Sequence, residues 1–335
     1  MHKPIAVTLG EPAGIGPDIV LTVWNERRSR EPAPFYVIGD PDFLARRARR
    51  LDLDVPIAVV EPERALRAMP THLPVVALDL PVSAEPGVPD ASSAPAVVAS
   101  IERAAADVIA GRAGAMVTNP ISKSVLYQAG FRHPGHTEYL AHLAQDLTGT
   151  VAHPVMMLWS PDLAVVPVTI HIPLRDVPTQ LTAELIVTTG RVVAGDLKRR
   201  FGIAHPRLVA AGLNPHAGED GTLGVEDRDV VAPAVARLRA EGIDIRGPLS
   251  ADTLFHPHAR SAYDAALCMY HDQALIPIKT IAFDQGVNVT LGLPFVRTSP
   301  DHGTAFDIAG TGEADPSSFA AALALAARLA AAAVA

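Results

Sequence analysis

The chain alternates short β-rich runs with longer helical patterns, and that alternation restricts it to an α/β architecture built on a largely parallel sheet. Strand-like runs occupy 5–9, 35–38, 57–60, 75–78 and 115–118, and helical periodicity occupies 18–24, 95–110, 137–147, 183–201 and 230–241. The stretch 81–95, rich in Pro, Ser and Ala, reads as a linker, and no internal repeat is present. At 335 residues the chain is long for one core, so two lobes or one large α/β unit both fit. A hydrophobic share of 49% against 19% charged residues supplies a sizeable core and excludes wholesale disorder. The segment from Phe319 to Ala335 is nearly all Ala, Leu and Val. It carries Arg328 and is short for a membrane span, so it reads as a terminal packing helix.

Three further apolar runs each end at a histidine. AVVPVTI precedes His171, RLVAAGL-Asn-Pro precedes His216, and AALCMY precedes His271. In open α/β sheets ligands bind where the carboxyl ends of strands converge, so residues at those ends can meet. Imidazole is the commonest protein ligand for divalent transition metals, and three of them leave a coordination position open for substrate. An ordinary strand-end role is the competing reading for each histidine.

Other motifs are weaker alone. Gly10-Glu-Pro-Ala-Gly-Ile-Gly has the wrong order for a dinucleotide fingerprint, with Ile19 where the third glycine belongs, so a tight strand-to-helix turn is favoured. Gly135-His-Thr-Glu opens a helix: Thr137 and Glu138 suit a cap, while the same geometry, with His136, suits an anion. Lys279, Asn288 and Arg297 interrupt an apolar region, where either an anionic ligand or a salt bridge to Asp284 or Asp301 would compensate them. Asp252 suits an acid/base group, a supporting group or an exposed cap. Arg46, Arg47, Arg49 and Arg50 read as a solvated helix face.

The net charge of −8 argues against a nucleic-acid surface, and any anionic substrate must be held by local cations. Cys268, the only cysteine, lies in an apolar run and reads as buried filler; the absence of a disulfide fits a reducing cytoplasm. The N-terminus has neither a basic leader nor an apolar stretch of signal-peptide length, so a soluble cytoplasmic protein is expected.

Five blocks then carry a likeness across essentially the whole chain. They are Thr8-Leu-Gly-Glu-Pro-Ala-Gly-Ile-Gly-Pro, Pro134-Gly-His-Thr-Glu, Asn214-Pro-His-Ala-Gly-Glu, Tyr270-His-Asp-Gln and Gly286-Val-Asn-Val-Thr-Leu-Gly-Leu-Pro-Phe-Val-Arg-Thr-Ser. In this order they resemble the PdxA family, the 4-hydroxythreonine-4-phosphate dehydrogenases of vitamin B6 biosynthesis. The resemblance implies one divalent metal per subunit (zinc, magnesium or cobalt) on His171, His216 and His271. It also implies substrate contacts from His136, Thr137, Lys279, Asn288 and Arg297, and a homodimer with a shared active site. Lys279 and Asp252 are then the candidates for the catalytic base.

Asp301-His-Gly-Thr-Ala-Phe-Asp-Ile-Ala-Gly resembles the cofactor loop of isocitrate and isopropylmalate dehydrogenases, with Phe306 in place of their proline. That likeness implies NAD or NADP held through His302, Gly303, Thr304 and Asp307. The fold expected from these resemblances is a two-lobed α/β/α sandwich of the isocitrate/isopropylmalate dehydrogenase type, with its active-site cleft between lobes. Lobe one, the cofactor side, spans about 1–130 plus 280–335, and lobe two, the metal, substrate and dimer side, about 131–279. A sister dehydrogenase acting on phosphorylated threonate or erythronate, or on a dihydrodiol carboxylic acid, is the nearest alternative function. A non-catalytic metal- or phosphate-binding protein is the other.

Overall fold

The structure, a computed structural model, describes residues 3–332. The protein is a mixed α/β fold whose contacts divide it into two compact units. One holds the residues up to Pro154 and those from Leu293 onward; the other is Val155–Gly292.

The first unit begins with β1 (Ile5–Thr8), all four residues of which are buried. α1 (Gly16–Asn25), β2 (Phe35–Gly39) and α2 (Pro41–Arg50) follow. Asp40 caps α2 by accepting the Asp42 N–H at 2.8 Å, and Pro41 stands in its first turn, where a missing N–H costs nothing. β3 (Ile57–Val59), β4 (Leu73–Ala77), α3 (Ala94–Ile109), β5 (Ala115–Val117) and α4 (His136–Thr148) complete this passage. The strands run parallel in the order β3-β4-β2-β1-β5, as expected of apolar runs joined by helices, and all but the edge strand β3 are largely buried. α3 and α4 both contribute to one apolar cluster, through Val97, Ile101 and Ala105 from the first and Leu140, Leu143 and Ala144 from the second.

The second unit opens with an antiparallel pair, β6 (Val155–Trp159) and β7 (Ala164–Pro167). Next come α5 (Ala183–Arg199), β8 (Arg207–Ala211), α6 (Ala232–Ala240), β9 (Asp244–Leu249), β10 (Ala265–Cys268), α7 (His271–Ala282) and β11 (Val287–Leu291). Its strand order is β11-β6-β7-β10-β8-β9, with the last four parallel to one another. Cys268 is wholly buried and its thiol is pushed up by that burial, in keeping with a filler role. The chain then returns to the first unit with β12 (Arg297–Pro300), parallel to β5, and α8 (Ser317–Ala332). α8 buries Phe319 edge-on against Phe35, with ring centroids 6.2 Å apart. The last residues of the expected tail helix lie outside the described residues.

The sequence placed the lobe limits near 130 and 280. Packing of α4 on α3, and pairing of β11 with β6, put the division at Pro154 and at Gly292. Two local expectations change. The helix expected over 230–241 starts at Ala232, behind a single π-helical turn at Asp227–Val231. The arginine cluster of α2 is not wholly a solvated face, because Arg47 falls in phase with Phe43, Leu44 and Ala48 and is buried with them.

Candidate active site

β7 and β10 pair through Cys268 and Pro167, and further bonds extend the pairing beyond both strands. Val168 N–H donates to the Cys268 carbonyl at 2.7 Å, and the Thr169 hydroxyl to the Met269 carbonyl at 2.7 Å. His171 and His271 therefore leave the sheet side by side, with ring centroids 5.5 Å apart. They line one pocket with Thr169, Leu174, Tyr270 and Asp272. His271 is also the first residue of α7, so it sits at a helix start as well as past a strand end.

His216 is held differently. After β8 the chain enters a run from His216 to Asp220 whose φ values are all positive, between 42° and 80°. Only Gly218 takes that conformation without steric cost. The buried carboxylate of Asp227 anchors the approach to this run, accepting from Leu213 N–H at 2.7 Å and from Asn214 N–H at 2.9 Å. Gln273 ties the β10 and β8 ends together: its oxygen accepts the Met269 N–H and its amide donates to the Gly212 carbonyl, both at 2.7 Å.

His216 and His271 share a second feature. Nδ1 of His216 lies 3.0 Å from Glu219 Oε1, and Nδ1 of His271 lies 2.8 Å from Asp272 Oδ1. A carboxylate on Nδ1 fixes the ring and leaves Nε2 as the donor nitrogen, which is how metal-binding histidines are commonly oriented. The donor chemistry thus fits a divalent cation. Among the described residues, however, no three His, Cys, Asp or Glu side chains of one chain stand together as a metal ion requires. His171 and His271 are brought together; His216 is not grouped with them. Its neighbour is Asp252, whose carboxyl is held below the usual carboxylate range by the Ser250 hydroxyl at 2.6 Å, with the field of His216 adding to the effect.

In the first unit, His136 opens α4 beside Arg297 at the start of β12. Burial, and then the Arg297 charge, depress the His136 pKa well below its ordinary value, so the ring is neutral. Its Nε2 is shielded from solvent and has no hydrogen-bond partner. Arg297 is 5% exposed, and burial brings its pKa down to about 10. Nε and Nη2 of Arg297 both donate to the Thr118 hydroxyl, at 3.0 and 2.6 Å. The expected Thr137 cap is not formed: Gly135 is the cap residue and no side-chain bond closes the helix start, because the helix begins two residues earlier than the cap reading needs. A buried guanidinium beside a shielded imidazole nitrogen is the arrangement an anion would satisfy. Lys279 on α7, with Nζ 5.8 Å over the Phe283 ring, and Asn288 on β11 belong to the second unit.

The loop 301–308 lies against the N-terminal glycine turn. Ile15 N–H donates to the Thr304 carbonyl at 2.9 Å, and a Cβ at Gly14 would stand 2.7 Å from that same oxygen. Glycine at 14 is thus required by close backbone approach, as expected of a structural turn. His302 uses Nδ1 toward the Gly303 carbonyl at 3.0 Å, while its Nε2 is shielded and without a partner. Asp307 falls in a single 3-10 turn, Phe306–Ile308, after a left-handed Ala305.

Thr118, Gln273, Asp227 and the orienting Asp272 were not read from the sequence as functional. Gln273 and Asp272 lie within the quoted Tyr270-His-Asp-Gln motif, but nothing local distinguishes an amide, hydroxyl or carboxylate that serves a residue far along the chain.

Residues 31–326 match the family of the pyridoxal phosphate biosynthetic protein PdxA. The 4-hydroxythreonine-4-phosphate dehydrogenase of Bradyrhizobium diazoefficiens is 64% identical, over 98% of this chain and 98% of that protein. A crystal structure of the Klebsiella pneumoniae enzyme of the same name superposes with a TM-score of 0.88 at 39% identity, covering 98% of each chain. A terephthalate 1,2-cis-dihydrodiol dehydrogenase from Burkholderia xenovorans gives 0.64 at 28% identity, over 97% of this chain and 98% of that one.

Proposed function

The chain belongs to the PdxA family, and on that premise we propose that it oxidises the C3 hydroxyl of 4-phosphooxy-threonine with NAD(P). The product, 2-amino-3-oxo-4-phosphooxybutanoate, then loses its carboxylate as CO2 to give 3-amino-2-oxopropyl phosphate. The observation that carries this reading is the His136–Arg297 pair, a buried cation beside a neutral, unpartnered imidazole nitrogen. A buried ring nitrogen without a partner is costly, and the phosphate of the substrate would supply one beside the Arg297 charge.

When bound, a divalent cation supplies Lewis acidity at the C3 oxygen and NAD(P) supplies the hydride acceptor. His171, His216 and His271 are the residues that would hold the cation. The remaining work falls to side chains of this protein. His136, Thr137 and Arg297 hold the phosphate, with Lys279 and Asn288 completing the substrate cradle. Lys279 or Asp252 takes the proton of the C3 hydroxyl as the C–H pair departs as hydride. His302, Gly303, Thr304 and Asp307 receive the adenosine end of the dinucleotide.

We place this site in a homodimer, with ligands contributed by both chains. Supporting that assembly, three large apolar side chains of the second unit are exposed: Leu174 at 67%, which lines the pocket of His171 and His271, Ile276 on α7 at 64%, and Phe283 just past its end at 72%. A second chain would cover them and exclude water from the reaction. Among the described residues no helix is long and apolar enough to cross a membrane, and with a single buried cysteine we assign the protein to the cytoplasm.

The test is direct. Purified protein with 4-phosphooxy-threonine, NAD and a divalent metal should form NADH and 3-amino-2-oxopropyl phosphate in equal amounts. The dihydrodiol dehydrogenase neighbour favours one alternative, a sister activity on a dihydrodiol carboxylic acid. Preference for such a substrate in the same assay would replace the proposed one. A non-catalytic binding protein would show no NADH affinity in a fluorescence titration.

A further inference from the structure

Arg47 and Asp18 form an ion pair with both side chains 2% exposed, and neither belongs to the site described above. Asp18 divides its carboxylate: one oxygen pairs with Arg47 Nη1, and the other accepts the N–H of Gly310 at 2.6 Å. Arg47 spreads its fork over the glycine turn, Nη2 donating to the Pro12 carbonyl at 2.6 Å and Nη1 to the Gly14 carbonyl at 3.2 Å. One buried pair thus holds three backbone groups, two on the 10–16 turn and one at the end of the segment that begins at Asp301.

We propose that Arg47 and Asp18 are positioning residues for dinucleotide binding, fixing the 301–310 segment against the 10–16 turn in the pose that receives the cofactor. This rests on the reading that 301–308 takes the adenosine end of NAD(P). Two apolar side chains of similar volume would stabilise this place in the fold as well or better, because desolvating two charges offsets much of their attraction. Apolar side chains cannot set the register of three carbonyl and amide groups; a guanidinium fork and a two-oxygen carboxylate can. A second observation marks the same seam as polar and ready for a ligand. Glu11 Oε2 on the turn, Oδ1 of Asn119, whose Cβ packs against Gly10, and His302 Nε2 on the loop are all shielded from solvent and without a hydrogen-bond partner. Burial, the largest effect, and the Asp90 charge raise the Glu11 carboxyl pKa against the opposing Ala13 N–H, so this edge of the seam carries a carboxyl eased toward its neutral form.

The experiment compares the Arg47→Met/Asp18→Asn double variant, which removes both charges together, with Arg47→Lys and with His302→Ala. The double variant should weaken NADH binding and raise KM for NAD roughly tenfold or more, about 1.4 kcal/mol. Its kcat at saturating NAD and its KM for the phosphorylated substrate should stay near wild type, and Arg47→Lys should recover part of the loss. If His302→Ala weakens NADH binding while the double variant binds normally, the positioning role is overturned and the loop reading stands. If His302→Ala leaves NADH affinity unchanged, the loop reading falls first. Equal losses in kcat and in both KM values would mean a general structural role and also overturn the proposal. Hydrogen exchange on the intact wild type gives a readout that needs no variant to fold: the Gly310 amide should exchange far more slowly than an unstructured one. Exchange at the unstructured rate would show that the clamp is not closed.

Discussion

Arg297 gives two hydrogen bonds to the hydroxyl of Thr118, from Nε at 3.0 Å and from Nη2 at 2.6 Å, in a place where water does not reach either partner. The guanidinium is thereby aimed by a residue at the end of a neighbouring strand. Thr118→Val keeps the shape and removes the acceptor of two hydrogen bonds from a buried cation. Stability should fall by about 1–3 kcal/mol. KM for the phosphorylated substrate should rise roughly tenfold with kcat little changed, since the loss is of binding rather than of chemistry. Steady-state kinetics beside a denaturant titration checks both; an unchanged KM would mean that Arg297 finds its pose without Thr118.

His136 should stay neutral through the physiological range. Its folded pKa lies below the unfolded value, first through burial and then through the Arg297 charge. The unfolded chain therefore takes up a proton near pH 6.5 that the folded protein refuses. The stability this histidine contributes is complete above about pH 6.5 and is lost as pH falls from there toward the folded value. Nitrogen-15 spectra should show a neutral ring at pH 6, and His136→Gln should flatten the acid side of the stability curve. A His136 resonance titrating near 6.5 would contradict the burial.

Metal retention should depend on the three histidines and on one carboxylate behind them. His171→Ala, His216→Ala and His271→Ala should each release the cation on desalting and abolish turnover with it. Asp272→Asn, which keeps the ligand and weakens its orientation, should cost about 10–100-fold in metal affinity. Elemental analysis of the desalted variants is the measurement. Stoichiometric metal in any of the alanine variants would remove that histidine from the site.

The base can be assigned from pH–rate profiles. Lys279→Ala should lower kcat by about 10²–10⁴-fold and flatten one limb of the profile, while Asp252→Asn should shift KM or metal affinity more than kcat. The Ser250 hydroxyl already occupies one oxygen of Asp252, which suits a supporting role near His216. The reverse pattern would make Asp252 the base.

Shared sites permit complementation. Mixing inactive His171→Ala and Lys279→Ala proteins should restore a fraction of activity if the two residues reach one site from different chains, because a mixed dimer then carries one intact site. Full activity in a species shown by light scattering to be monomeric would overturn the dimer.

The strand ends that carry His171 and His271 were legible because short apolar runs bounded by turn residues announce themselves, and parallel pairing then fixes where their ends emerge. Helix α7 was not legible. Pro277 stands inside it and deletes a backbone bond, so the stretch after His271 reads as broken in sequence but is helical in the fold. Arg47 was legible in part: its spacing from Phe43 places it on the buried face, yet a charged residue among arginines suggests solvent. Its partner Asp18, like Asp227 and Thr118, acts on groups far away in the chain, and no local pattern encodes such a contact. The anion reading of His136 was open in sequence because capping explained the same residues; the uncapped helix start and the bare Nε2 weigh toward the anion.

The left-handed run from His216 to Asp220 has the character of a loaded spring. Four of its five residues carry side chains that disfavour this geometry, at about 1–2 kcal/mol each. Asp227, gripping the chain just upstream, works against that recoil without touching the imidazole. On the metal role proposed for His216, its hold on the cation would be set partly by a carboxylate that does not touch the ring. A weakened grip would let the turn unwind and carry the histidine away, so the cation proposed there would be lost before the fold is.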